Sequence, residues 1–408
     1  MSSVQSTYPK KILFTEGFQQ NPYPAYQRLL EEAPIHYLDW GNGLWAVFSY
    51  TDCTAILKDP RLSAKRTGAF LLALPEENRR EFVELARLLS LWMLFIDAPA
   101  HSRLRKLMNK GFSPAALESL RPQIEAIVDR MVEPLRHRRE VELMHEIAHP
   151  LPVRVIAEML GIPDTMQDQL VGWSNAIATF FGSPHRTLEQ IRSAQQAVVA
   201  LTEYFRDAVA KRRQQKGNDL ISLLLKIEED GDVLTEEELY AQCVMLLFGG
   251  HETTRNLIGN GMFTLLQHPE ESSNLRERPE MIRTAVEELL RYESPVQNTA
   301  RIAKEEMEVC DVRLRPGDLI AVMLGAANRD PQQFKDPGRL DLSRLNNSHL
   351  AFGAGPHFCI GNQLARMEAQ VAILKMVREF PQMRLTSKTP EWAPNFSLRG
   401  LRDLFVAV

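Results

Sequence analysis

The chain is poor in the features that tie a protein to oxidising surroundings, to nucleic acid or to a bilayer. Cysteine is scarce: four in 408 residues, Cys53, Cys243, Cys310 and Cys359. Their spacing is not that of a metal site, and nothing gives a secretory context, so a reducing compartment suits them. Positive charge is not in excess. Lys and Arg number 48 against 52 Asp and Glu, a net charge of −4, which excludes the basic footprint of a nucleic-acid binder. Long apolar runs are missing as well. The longest, Leu88 to Ile96, is interrupted by Ser90 and is far shorter than the ~20 residues that span a bilayer. Met1 to Gln20 has no charged-then-apolar layout of a signal peptide. No Ser/Gly linker, low-complexity tract or fixed-period repeat divides the chain. The expectation is a soluble, cytoplasmic, monomeric protein with no membrane or nucleic-acid partner. Residues 1–408 form one domain, with 1–20 as an N-terminal extension.

What is present is an ordinary globular balance, 44% hydrophobic and 25% charged, with length for a large core. The sharpest local signal surrounds one cysteine. Phe352-Gly353-Ala354-Gly355-Pro356-His357-Phe358-Cys359-Ile360-Gly361 carries three glycines and a proline in ten residues. Such a stretch is a tight loop whose backbone comes close to something flat or bulky. Asn362 to Phe380 then reads as an amphipathic helix stopped by Pro381. The thiol thus lies at a helix N-terminus, where dipole and free N–H groups favour a thiolate. A thiolate in a rigid loop suits haem iron as an axial ligand. The plainer alternative is a small buried hydrophobe.

A second signal is a long helix. Thr235-Glu236-Glu237-Glu238 is a capping box, and the pattern it opens runs to His268, before Pro269. Gly249 and Gly250 in its middle cost about 1 kcal/mol each against alanine. They imply either a close-packed backbone or a planar cofactor on a flattened face with locally widened hydrogen bonds. His101 and Arg105, spaced i, i+4, share one helical face and suit an anion, although a solvated face has the same pattern. Glu288 and Arg291 are an i, i+3 pair. Ser63 to Phe95 is long and uneven, either a helix on the core or a lid. Strands are expected at Pro34–Leu38, Leu44–Phe48, from Thr299, at Met307–Val312 and at Leu319–Met323. Ser113 to Thr235 reads as helix-rich, broken by prolines.

The motif Phe-x-x-Gly-x-His-x-Cys-x-Gly resembles the haem-binding loop of the cytochrome P450 family. Gly249-Gly250-His251-Glu252-Thr253-Thr254 resembles its oxygen-activating motif. Glu288-x-x-Arg291 and His101-x-x-x-Arg105 match in the family order. The resemblance runs from about Asn21 to the C-terminus and is closest, from Ala285 to Pro331, to the soluble bacterial branch that oxidises macrolides and fatty acids. Glu252 stands where many relatives carry Asp, and Leu340 where many carry Phe.

The resemblance implies a mainly α fold with small β-sheets, a triangular haem-thiolate domain. Haem b would be ligated through Cys359 and contacted by Phe352, His357, Gly361, Gly249 and Gly250. His101, Arg105 and Arg301 would meet its propionates. Thr253 and Glu252 would deliver protons, and Glu288 with Arg291 would support the haem loop. His251 holds a variable position and gains no role. The activity implied is monooxygenation, hydroxylation or epoxidation, of a medium or large lipophilic molecule with O2. No flavin or nicotinamide segment is present, so electrons would come from a ferredoxin-type donor and its reductase, meeting Arg103, Lys106 and Lys110. A peroxygenase or coupling enzyme and a non-catalytic haem protein are the alternatives. By family position the pocket would be lined by Phe70, Leu71, Leu72, Phe180, Phe181, Met245, Phe248, Val296, Asn298, Phe396 and Leu398. Arg66, Arg79, Arg80 and Arg87 could meet a substrate carboxylate at its mouth.

Overall fold

The computed structural model describes residues 13, 15–39, 43–72, 74–183, 186–229 and 234–408, without the side chains of 227–229. Most of the expected Met1–Gln20 extension and the tip of the Asp39–Gly43 turn lie outside the described residues. The capping box predicted the long helix well. Helix Glu236–Gln267 has 32 residues, and Thr235 and Glu238 exchange side chain-to-backbone hydrogen bonds at its start. At the standard rise it is about 48 Å long. It is buried on nearly every face from Leu239 to Leu265, as a helix crossing the interior must be. Helices Pro150–Leu160, Gln167–Gly182, Leu188–Gln214, Ile282–Tyr292 and Asn362–Glu379 pack around it. The apolar side chains of these elements merge into one large core that also takes in Phe82, Leu85, Leu88 and Trp92.

The sheets lie outside this helical body. Five strands run in the order Ile35–Leu38, Leu44–Val47, Leu319–Val322, Thr299–Ala303, Leu62–Ser63. Leu44–Val47 and Leu319–Val322 are parallel and the other pairs antiparallel. A second sheet joins Glu140–Glu142 to the C-terminal strand Phe405–Ala407 and to Arg384–Leu385.

Three expectations need correction. Met307–Val312 is not one strand but a hairpin, Met307–Val309 against Val312–Leu314. Cys310 and Asp311 both take positive φ at its tip, the geometry of a I′ turn, which Cys-Asp does not announce as Asn-Gly would. Ser63–Phe95 is not one helix. It is a series of short pieces, Ala69–Leu72, Glu76–Arg79, Arg80–Phe82, Val83–Ser90 and Met93–Phe95, of which the last three embed in the core. The long helix shows no wide turn around Gly249 and stays α-helical from end to end.

Candidate active site

A cavity of about 1200 Å³ separates the middle of the long helix from the loop of Ala351–Gly361 and the helix Asn362–Glu379 behind it. Ligand pockets usually measure about 300–1,000 Å³, so there is room here for a cofactor and a second molecule.

The cysteine loop is held by its own backbone. Gly353 and Gly355 take φ of 71°, a region closed to most side chains. A Cβ on Gly355 would also lie 2.6 Å from the carbonyl of Leu57. The Cys359 N–H donates to the Phe352 carbonyl at 3.0 Å, and Asn362 Nδ2 donates to the Cys359 carbonyl at 2.7 Å. Asn362 begins the following helix, so the thiol lies just outside it. Burial raises the thiol pKa, against the lowering influence of the Gly361 N–H, Arg105 and Arg366. The Gly361 N–H and the two guanidinium groups act in the direction expected of a helix start, and a bound metal cation would add to them.

Two ion pairs, one fully buried and one half-buried, fix this loop from below. Glu288 and Arg291 are fully buried and pair at 2.7 Å. Arg291 also donates to the carbonyls of Asn328, Pro337 and Arg339. Glu288 accepts from Asp341 N–H, Arg344 and Asn347. One pair thus ties 328–347 to the helix Ile282–Tyr292. Sequence reasoning missed Glu287, which accepts from Arg366 at 2.6 Å and contacts His349 at 3.1 Å. The Arg366 guanidinium sits 4.4 Å over the Phe352 ring, so this second pair reaches the cysteine loop directly.

Along one edge of the cavity the structure brings together His101, His357, Arg105 and Arg301, and adds Arg66. The two imidazole rings are 4.0 Å apart, centroid to centroid. Burial, with His101 and the guanidinium charges of Arg301 and Arg66, pushes His357 down to about 3. Burial and Arg301 bring Arg66 down to about 9, and burial brings Arg301 down to about 10. Asp97 is the acid nearby. A buried group of donors crowded with like charge is relieved by an anion. The carboxylates of a haem fit it, with Cys359 toward the metal. Gly249, Gly353 and Gly361 leave open space where a Cβ would stand, as a flat ring requires. Arg66 therefore belongs with the anion site rather than the mouth.

On the opposite wall, Thr253 donates to the Gly249 carbonyl at 2.8 Å. Glu252, buried to 9% exposure, pairs with Arg255 at 3.0 Å. Both Glu252 and Thr253 line the cavity. His251 points away from it and meets His149 at 3.3 Å.

Ten of the eleven predicted pocket residues line the cavity. Leu71 does not; on its one-turn helix it packs on the core, while Phe70 and Leu72 border the cavity. Phe70 meets Phe180 edge to face at 5.2 Å, and Phe181 meets Phe248 at 5.4 Å. Asn298 is no free anchor. Its amide donates to the Phe396 carbonyl and accepts from Ser397, pinning the Phe396–Leu398 segment. Arg79 is spent on the carbonyls of Leu72 and Leu74 and Arg87 on Glu84 and Glu237; Arg80 is exposed and does not line the cavity. Arg103 pairs with Glu238, so it is not a free surface cation.

The family model described as Cytochrome P450 matches residues 87–398. The chain is 40% identical to Cytochrome P450 107B1 of Saccharopolyspora erythraea, over 97% of each chain. It is 38% identical to the Biotin biosynthesis cytochrome P450 of Bacillus subtilis, over 95% of this chain and 96% of that one. Among solved structures it resembles P450BioI in complex with hexadec-9Z-enoic acid ligated acyl carrier protein, with a TM-score of 0.90, 38% identity and coverage of 97% of this chain and 100% of that one.

Proposed function

Since this chain belongs to the cytochrome P450 family, a haem-binding monooxygenase family, we propose that it hydroxylates or epoxidises a medium or large lipophilic molecule. The observation that carries this reading is the cavity itself. Aromatic and aliphatic side chains form most of its lining between Cys359 on one side and Gly249 to Thr253 on the other. An apolar lining with few polar groups takes an apolar ligand. The acyl-bearing relative, P450BioI, points the same way.

In this reading Cys359 would ligate the iron of a haem bound in the cavity, and the haem would supply reductive activation of O2. Arg66, Arg301, His101 and Arg105 would hold its carboxylates, and Phe352 and Gly361 would flank Cys359. Glu288–Arg291 and Glu287–Arg366 keep the loop from shifting as charge changes at sulfur. The apolar wall of Phe180, Phe181, Phe248, Val296 and Leu398 excludes water and orients the substrate. Thr253 positions a donor at the reacting oxygen. Glu252 supplies protons from outside once it leaves Arg255, a general-acid role. This acid–hydroxyl pair favours an O2-driven monooxygenase over a peroxide-driven one, which needs no proton relay.

Electrons come from a separate ferredoxin-type protein. Behind the cysteine loop, a groove of about 430 Å³ is lined by Arg121, Arg283, Arg344, Arg366 and Leu345, and Leu345 is 87% exposed. Arg121, Arg344 and Arg366 already pair with Glu118, Glu288 and Glu287, so Arg283 beside Leu345 is where an acidic donor would dock on this groove. Arg283→Glu is expected to slow reduction by the ferredoxin and flatten its salt dependence, while dithionite reduction stays unchanged.

The test of substrate class is titration followed through the haem Soret band, with matched lipophilic and hydrophilic compounds. Spin-state shifts with polyketide, terpenoid or fatty acyl compounds are expected. A shift with a small amine or sugar and none with any lipophile would overturn the reading.

A further inference from the structure

Arg186 is a cation that the haem-side chemistry does not use. It directly precedes Thr187, whose side chain caps the helix Leu188–Gln214 in a capping box with Gln190. That cap fixes the backbone on which Arg186 is carried. Its Nε donates to the Phe180 carbonyl at 2.6 Å, and its guanidinium carbon lies 4.9 Å over the Phe180 ring. Backbone carbonyl and ring therefore hold one edge and one face of the guanidinium. Arg186 lines the cavity, and its Nη groups have no hydrogen-bond partner among the described residues.

No charge answers it among the described residues. Burial lowers its pKa, and no neighbouring charge contributes. The acids lining the cavity are Glu252, Asp318 and Glu368. Glu252 is taken by Arg255, Asp318 accepts the Arg315 N–H at the end of the sheet, and Glu368 lies on the helix Asn362–Glu379 behind the cysteine loop, where burial raises its pKa and disfavours the charged form. Nor does Arg186 belong to the group around Arg301. Arg66 sits 4.7 Å over Phe95. Phe95, Phe181 and Phe180 then follow at centroid spacings of 5.7 and 5.2 Å, and Arg186 lies beyond the last ring. Three aromatic rings thus separate two cationic sites in one cavity. A desolvated guanidinium with two free donors in a fixed plane is matched by a carboxylate. The apolar lining beside it sets the rest of the ligand.

We propose that Arg186 is a substrate-anchoring residue. It takes the carboxylate of an otherwise apolar molecule, holds that end at the Phe180 side and directs a distant carbon toward Thr253. The inference rests on the lipophilic-substrate reading and narrows it to amphipathic acids. It replaces Arg79, Arg80 and Arg87, the arginines expected from the sequence to do this, with one that the sequence did not single out.

The test uses the haem-loaded protein, with dodecanoic and hexadecanoic acids against their methyl esters as probes. Dissociation constants come from the Soret shift, and product positions from mass spectrometry. Wild-type protein is expected to bind each acid about 10- to 100-fold more tightly than its ester, the range of a hydrogen bond to a charged group. Arg186→Gln should bring that ratio to about one, leave ester binding within about twofold and spread oxidation over more chain positions. Arg186→Lys should keep part of the preference, which a merely structural role would not produce. Equal affinity for acid and ester in the wild type, no shift with either acid, or a preference that survives in Arg186→Gln would overturn the inference. Shifts with the neutral esters alone would sink this anchor and leave the lipophilic-substrate reading standing. A protein that responds to no lipophile at all, acid or neutral, would sink both.

Discussion

Glu252 and Arg255 pair at 3.0 Å one turn apart on the long helix, and the same guanidinium donates to the Leu401 carbonyl at 3.1 Å. The acid on the cavity wall is thus tied to the strand region behind the helix. A carboxylate held this way delivers protons only when it swings off its partner. Glu252→Gln is expected to slow turnover by on the order of 100-fold while leaving substrate binding intact. Thr253→Ala should bind haem and substrate but divert reducing equivalents to peroxide. The measurement is product and peroxide formed per NAD(P)H; wild-type coupling in either variant removes that residue from proton delivery.

Cys359 is the only sulfur on the loop below the cavity, and burial raises its pKa against the pull of Arg105 and Arg366. Cys359→Ser is expected to lose the thiolate-type ferrous–CO absorption and nearly all oxygenase turnover. Haem content and the CO spectrum of the purified variant check this together, and an unchanged spectrum would refute the ligation.

Glu287 gives an acid limit to stability. Burial would raise its pKa, but Arg366 and His349 prevail and hold it at about 2, below the ordinary 4.5. A carboxylate depressed in the folded state stabilises the protein fully above pH ~4.5, and that stability is lost as pH falls toward 2. The contribution is on the order of 2–3 kcal/mol. Glu287→Gln should lower the melting temperature at pH 7, and the gap to wild type should close as pH falls from 4.5. A gap that is constant with pH would mean that charge at Glu287 is not what braces the loop.

Glu368 predicts the opposite sign. It is 2% exposed, its Oε2 has no hydrogen-bond partner, and burial raises its pKa well above 4.5. A raised carboxyl leaves stability intact below pH ~4.5 and erodes it as pH rises, because folding must keep the proton. Glu368→Gln should therefore melt about 1–3 °C higher than wild type at pH 8, with the difference vanishing near pH 4.5. Thermal melts of the haem-loaded proteins across that range are decisive; a lower melting temperature at pH 8 would show that the carboxyl has a partner the variant loses.

The readings that held came from local chemistry. The Thr235–Glu238 box is satisfied by atoms three residues apart, so its helix was legible without the fold. The loop of Gly353 and Gly355 was legible because positive φ restricts the residue type at those positions. Leu71 was misplaced because one turn of helix turns neighbours to different faces, and only packing decides which face meets the core. The hairpin tip at Cys310 and Asp311 was missed because two ordinary residues adopt positive φ under tertiary constraint.

By itself, then, the sequence determined the cysteine loop, the long capped helix with its glycine pair, and the motifs that mark haem chemistry. Each of these is set by backbone sterics and hydrogen bonds within a few residues. Only the tertiary structure decided which charges meet. It placed Arg66 beside Arg301, tied Glu287 to Arg366 across 79 residues, spent Arg79, Arg87 and Arg103 elsewhere and left Arg186 facing the cavity. Arginine has the same long, flexible side chain and the same charge wherever it occurs. Its role depends on the partner within hydrogen-bond reach and on how much water folding removes, and neither is written in the neighbouring residues.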